Sequence, residues 1–441
     1  MLKVGFSEFD ITPAVGKLIP GGFEPCHTSE PARGKLLATA AAFDLNGNSL
    51  ILVSVDHLSF HTNTADRIRR RISDATGVPF DRILVAATHT HTGGQTDYQL
   101  WLCPPDLEIA SMTEEGAVTA GISAFGNLSE AAIGIGAGEE NRYSFCRDIY
   151  MTDGSIKMNP NRAHPELMIE PVDTPDYAVN VMRIDSAEGE VRGFIVNYAN
   201  HPDCHAKNKK SFSADFPGAL RRGLKRVYGE DIFVLFFNGT AGDINCIDWM
   251  RSTSDSYYGG TKNAPEAIGA GLTSTVVEIN ANIKATESAP EITAISKNIT
   301  LARRYKTDAD LKWAQEIAKD MASHNAKDRA FATEYLEDDS DVSPEIEFEI
   351  HTVRLGDWAI VGLPSEIFTD IGRRIKTASP FKNTLIFELA NGTHGYISTK
   401  TLHESTAYES TVSKVNACTA KDSADRIVAA ALRQLEELKN V

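Results

Sequence analysis

The sequence predicts a mixed α/β (α+β) protein in which mixed β-sheets are covered by helices and a metal-type site lies at strand ends. Three observations predict it. Short apolar runs of strand length alternate with longer stretches that are apolar on one face only. Several runs end abruptly in His, Asp, Asn or Gly, the residues that α/β folds place where ligands bind. The 441 residues, 42% hydrophobic and 24% charged, can bury a sizeable core.

Taken in chain order, 49–56 (SLILVSVD) reads as a buried strand ending in Asp56. Residues 64–77 read as a helix with Ala65, Ile68, Ile72 and Ala75 on one face, and 81–92 (DRILVAATHTHT) as a second strand. The plan repeats with strands at 191–198 and 231–237 around a helix at 216–228. Residues 306–337 read as one helix that closes in the acidic stretch EDDSDVSPE, so 306–345 is an insertion with a mobile end. Strands at 349–355 and 358–363 flank Gly356-Asp357, a hairpin turn. A helix at 366–377, a strand at 384–389 and an amphipathic helix at 421–439 complete the chain. Without repeats or low-complexity linkers, the length fits one large domain or two to three intimate lobes.

Composition narrows the partners. Forty-four Lys+Arg against 60 Asp+Glu give a net charge of −16, which argues against nucleic acid or an anionic membrane as the main partner. The N-terminus MLKVGFSEFDITP is broken at Ser7, Glu8 and Asp10, too early for a secretory segment. No run reaches the ~20 apolar residues of a membrane span. The expectation is a soluble, cytoplasmic protein without stable membrane insertion, acting on a small molecule, with a homo-oligomer left open. Cys26, Cys103, Cys146, Cys204, Cys246 and Cys418 are dispersed without a C-x-x-C pair and read as reduced, mostly buried thiols.

Five motifs could carry chemistry. In THTHTGG (88–94), His89 and His91 project to one face if the strand continues, which suits a metal. Two histidines satisfied by backbone fit that motif equally well. The continuation Gly93-Gly94 departs from the H-x-H-x-D-H of metallo-β-lactamases, and the preceding strands depart from amidohydrolase barrels. NYANHPDCH (197–205) presents His201 on a rigid His-Pro turn, which alone is more often a plain turn. SFSADFPG follows, with Asp215 at a helix start, where a cap is the simplest role. FFNGTAGDIN (236–245) offers backbone amides and Asp243, but lacks the G-K-[ST] of a phosphate loop. GLPSEIF (362–368) sets Glu366 in a first helical turn, and GYISTKTLHESTAYEST (395–411) carries Tyr396 and Tyr408.

The ordered series DITP, THTHTGG, NHP, S-x-D-x-x-G, AGD, LPSE and Y-I-S-T…Y-E-S-T resembles the catalytic N-terminal domain of neutral (non-lysosomal) ceramidases, from Phe6 to about Val415. The expectation from this resemblance is a single ceramidase-like catalytic domain over residues 1–441, without the C-terminal β-sandwich that ceramidases carry. The resemblance implies one zinc ion held by His89, His201, Glu366 and Tyr396. It implies His91, Tyr408 and an arginine as groups that contact substrate or the reacting intermediate. Arg147 in SFCRD is the preferred match and Arg142 in ENR the other candidate. Gly21 and Gly22 match the glycine turn that lines the family's pocket. Asp56, Asp215 and Asp243 are candidates to orient the ligand imidazoles. The implied activity is zinc-dependent hydrolysis of the amide bond of an N-acylated small molecule. A zinc hydrolase of esters, lactones or sugar derivatives, or a non-catalytic ligand-binding relative, are the alternatives.

Overall fold

The computed structural model describes residues 1–23, 26–94, 96, 105–205, 210–251 and 264–440. The elements the argument needs are β1 (Lys3–Asp10), β2 (Leu37–Leu45), β3 (Asn48–Val55), α1 (Thr62–Thr76), β4 (Ile83–Ala87), α2 (Leu107–Gly126), β5 (Ser129–Glu139), β6 (Ala178–Ser186) and β7 (Val191–Tyr198). There follow α3 (Asp215–Tyr228), β8 (Phe233–Asn238), α4 (Ala264–Asn280), β9 (Ile292–Ala302), α5 (Asp308–Ala318) and α6 (Ala326–Tyr335). The chain closes with β10 (Glu345–Leu355), β11 (Trp358–Leu363), α7 (Thr369–Ala378), β12 (Asn383–Glu388) and α8 (Ser423–Asn440).

Eight strands form one sheet in the order β8-β7-β6-β5-β1-β2-β3-β4, and four form another in the order β9-β10-β11-β12. The sheets stack face to face. Strand alternation decides which side chains meet there. In β2, Ala41 and Phe43 face the second sheet, while Ala38, Ala40 and Ala42 face helices α1 and α2. Between the sheets, Leu235 and Phe237 meet Leu385 and Phe387, and the Phe237 and Phe387 rings stack at 4.2 Å. Helices α3 and α4 cover the other half of the large sheet with Phe216, Leu220, Ile268 and Leu272. Helices α7 and α8 cover the small sheet with Ile371, Ile375, Ile427 and Leu435. The result is four layers: helices, sheet, sheet, helices. This is the mixed α/β architecture expected from the sequence.

Within these two sheets most neighbouring strands are antiparallel, but three pairs are parallel: β3/β4, β7/β8 and β11/β12. Each pair is bridged by one helix (α1, α3 or α7), so it is a βαβ unit. A parallel pair ends both strands at the same edge of the sheet. The motifs after β4, β7, β8 and β11 therefore gather at one edge, although Glu366 comes 277 positions after His89 in the sequence.

Four local expectations are corrected. The strand over 81–92 stops at Ala87, and His89 adopts a left-handed φ of +70°. The two histidines thus converge through a turn rather than through strand pleating. Glu366 is not in a helix: Glu366-Ile367 pairs in parallel with Tyr396-Ile397, and α7 begins at Thr369. The stretch 306–337 is two helices, because Asn325 accepts a bond from Asp328 N and caps a new start. Ala75 is exposed, since α1 ends one residue later at the left-handed Gly77. Cys146, Cys204, Cys246 and Cys418 are buried free thiols and Cys26 is half-buried; Cys103 lies outside the described residues. Among the described residues, no helix is long and apolar enough to cross a membrane.

Candidate active site

A cavity of about 560 Å³ opens at the edge where the strands end. His89, His91, Arg147, His201, Glu366, Tyr396, Tyr408, Gly21 and Gly22 all line it. A side chain at Gly21 is impossible: a Cβ there would stand 2.1 Å from the His91 carbonyl oxygen.

Three imidazoles converge at the cavity floor. Their Nε2 atoms are 3.2 Å (His89–His201), 3.3 Å (His89–His91) and 2.9 Å (His91–His201) apart. The Nδ1 atoms of two rings face carbonyl oxygens, Leu58 O at 2.8 Å from His89 and Ala241 O at 3.2 Å from His201. A carbonyl only accepts, so each Nδ1 carries the proton. In the neutral rings both Nε2 atoms then present lone pairs to each other. A proton or a metal ion must sit among them. Tetrahedral ligands at the ~2.0 Å of a zinc–nitrogen bond are separated by about 3.3 Å, close to two of the three spacings. Glu366 adds its Oε2, 3.2 Å from His89 Nε2, buried and without a hydrogen-bond partner. The donor set and its orphaned atoms fit a divalent cation.

Electrostatics agree with that fit. Burial, helped by the Arg147 charge, pushes His201 well below the usual histidine range, so its ring is neutral and ready to ligate. Burial would also lower His89, but adjacent Glu366 outweighs it and raises this imidazole. The carboxyl of Glu366 is lowered against its burial by His89, Arg147 and a hydrogen bond from Tyr396. Tyr396 and Tyr408 are both pushed up by burial and by Glu366, so each is a neutral phenol in the ion-free site.

Arg147 sits beside this cluster and Arg142 does not. Arg142 is exposed and pairs with Glu140. The Arg147 guanidinium is buried: Nε donates to Glu409 Oε1 (2.6 Å) and Nη2 to Gly242 O (2.8 Å) and the Tyr396 hydroxyl (3.1 Å). Its Nη1 lies 3.4 Å from His201. The AGD loop thus supplies carbonyls, Ala241 O to His201 and Gly242 O to Arg147. The pairing of Glu366 with Tyr396 places these two side chains in register.

The three aspartates stand elsewhere. Asp56 forms a buried ion pair with Arg221 at 2.9 Å, tying β3 to α3. Asp215 accepts from Cys204 N and Phe216 N, and Asp243 from Thr369 N and Oγ1. None of them bonds an imidazole; main-chain carbonyls hold two of the rings, and Asp203 lies 3.8 Å from His91 Nδ1. Two buried acids escaped the sequence reading. Glu409 anchors Arg147. Glu388 accepts from Asn238 Nδ2, Ala241 N and Ile367 N, locking three strand ends together, and burial pushes it up to about 8. Glu388 had a signal: it is the one charged residue inside the apolar run 384–389.

No family model matches the sequence, and no curated protein matches it. Solved structures do match. The chain superposes on the crystal structure of neutral ceramidase from Pseudomonas aeruginosa with a TM-score of 0.75 and 16% identity, covering 99% of this chain and 75% of that one. A ceramidase complexed with C2 gives the same TM-score and identity, with 100% of this chain covered. At this identity the likeness concerns the backbone. The chain has the fold of neutral ceramidase over essentially its whole described length.

Proposed function

We propose that the chain is a zinc-dependent hydrolase that cleaves the amide bond of an N-acylated small molecule. One observation carries the reading: imidazole lone pairs held face to face by carbonyl-fixed tautomers, beside an orphaned Glu366 oxygen, on the floor of a cavity. The structural likeness to ceramidases supports the choice of an amide. His89, His201, Glu366 and Tyr396 would hold the ion. Zinc bound there supplies a Lewis acid that brings the pKa of water to about 7.

The remaining steps belong to the chain. Arg147 and the neutral Tyr408 phenol are donors for the carbonyl oxygen as negative charge develops on it. His91, beside Asp203 and the other two imidazoles, hands a proton to the leaving nitrogen. Glu409 and Gly242 keep the guanidinium from collapsing onto Glu366.

Metal content of purified protein tests the ligand set. His89→Ala and His201→Ala are expected to lose stoichiometric zinc. His91→Ala is expected to keep it and to lose turnover of N-acyl amides. Full zinc in His89→Ala or His201→Ala overturns the site, and zinc loss in His91→Ala moves His91 into the ligand set.

A further inference from the structure

The cavity has a second polar region. Arg303, just past the end of β9, lines it, held in place by a bridge to Thr419. Its Nε donates to Ser343 O at 2.7 Å. Among the described residues no carboxylate lies within ion-pair distance of Arg303. Of the acids around it, Asp339 pairs with Lys306 and Lys414, Glu337 pairs with Lys414, and Glu334 accepts from Lys414 N.

His394 lines the same cavity, and its Nε2 is buried without a hydrogen-bond partner. Carbon walls at Phe23, Leu58, Met158 and Val415 complete the cavity. A guanidinium at the lining of such a cavity loses hydration when a substrate fills the space, unless that substrate brings a negative charge. The planar fork suits a carboxylate.

We propose that Arg303, with His394 beside it, is an anion subsite that selects N-acyl substrates carrying a carboxylate on either the acyl or the amine part. The proposal rests on the amide-hydrolase reading. Two substrate pairs test it. Suberic acid mono-p-nitroanilide is compared with its terminal carboxamide, and N-decanoylglycine with N-decanoylglycinamide, so the carboxylate is carried once by the acyl part and once by the amine part.

The wild type is expected to favour the carboxylate member of at least one pair by about tenfold or more in kcat/KM, the scale of one charge-assisted contact. Arg303→Gln removes that preference and leaves the carboxamide members within about twofold, while Arg303→Lys keeps part of it. Equal rates within both pairs, or a preference that survives Arg303→Gln, overturn the subsite. Absence of turnover on all four compounds defeats the hydrolase reading instead. The subsite is then read by calorimetric titration with decanoate and decanamide. Tighter decanoate binding that Arg303→Gln abolishes supports it, and equal binding overturns it.

Discussion

Arg147 has five N–H donors, and its partners take them from several directions at once. Glu409, fully buried, balances the charge, while Gly242 and Tyr396 fix the plane. Removing the charge of Glu409 while keeping its shape loosens the guanidinium and leaves the proposed ion ligands intact. Glu409→Gln is expected to lower kcat by about 10- to 100-fold, the worth of a charge-assisted hydrogen bond. Zinc content and circular dichroism stay unchanged; a kcat equal to wild type removes Glu409 from this role. Residues of this kind explain what the sequence hides. His89, His201 and Glu366 stand in short motifs at the ends of apolar runs, and they are legible there. The carbonyls that orient the imidazoles have no sequence signature, because any residue supplies one. Glu409 gains its meaning only from Arg147, 262 residues away.

At the level of elements, the three βαβ units were readable, because each pairs a continuous apolar run with a helix of one apolar face. The segment 306–345 was readable as helical, but its place was not. Phe331 of α6 packs against Phe23 and Tyr408, so this segment lies behind two of the side chains that line the cavity. Within α6, Glu334 is buried and accepts from Lys414 N. Burial pushes its carboxyl up to about 7, above the ordinary 4.5. The folded state therefore holds this proton more tightly than the unfolded chain does. The contribution is complete below about pH 4.5 and is lost as pH rises through about 7. Glu334→Gln is expected to flatten the fall in Tm between about pH 4.5 and pH 7, by of the order of 3 kcal/mol in stability. An unchanged slope removes Glu334 as the cause.

Across the whole molecule, the interior between the two sheets is shared. Leu385 and Phe387 of the small sheet pack on Leu235 and Phe237 of the large one, so neither sheet has a complete core alone. Unfolding is expected to be one calorimetric transition, and Leu385→Ala to lower the stability of the whole by about 2–5 kcal/mol. Two separated transitions would show that the sheets fold independently. Several strands of the large sheet were illegible for a packing reason. β5 reads SEAAIGIGAGE, poor in the β-branched and aromatic residues typical of strands. Its glycines are needed because α4 and the turn after it lie close: a Cβ at Gly136 would come within 2.8 Å of Ile283. The alanines of β2 answer the same demand from α2.

The shared interior also divides the site along the chain. His89, His91, Arg147 and His201 belong to the segment that builds the eight-stranded sheet. Glu366, Tyr396 and Tyr408 belong to the segment that builds the four-stranded one. Neither segment, as a nascent or severed piece, carries the full proposed ligand set. Metal capture would therefore report that both halves have met, which makes the connection between α4 and β9 a natural place to cut the gene for a complementation reporter.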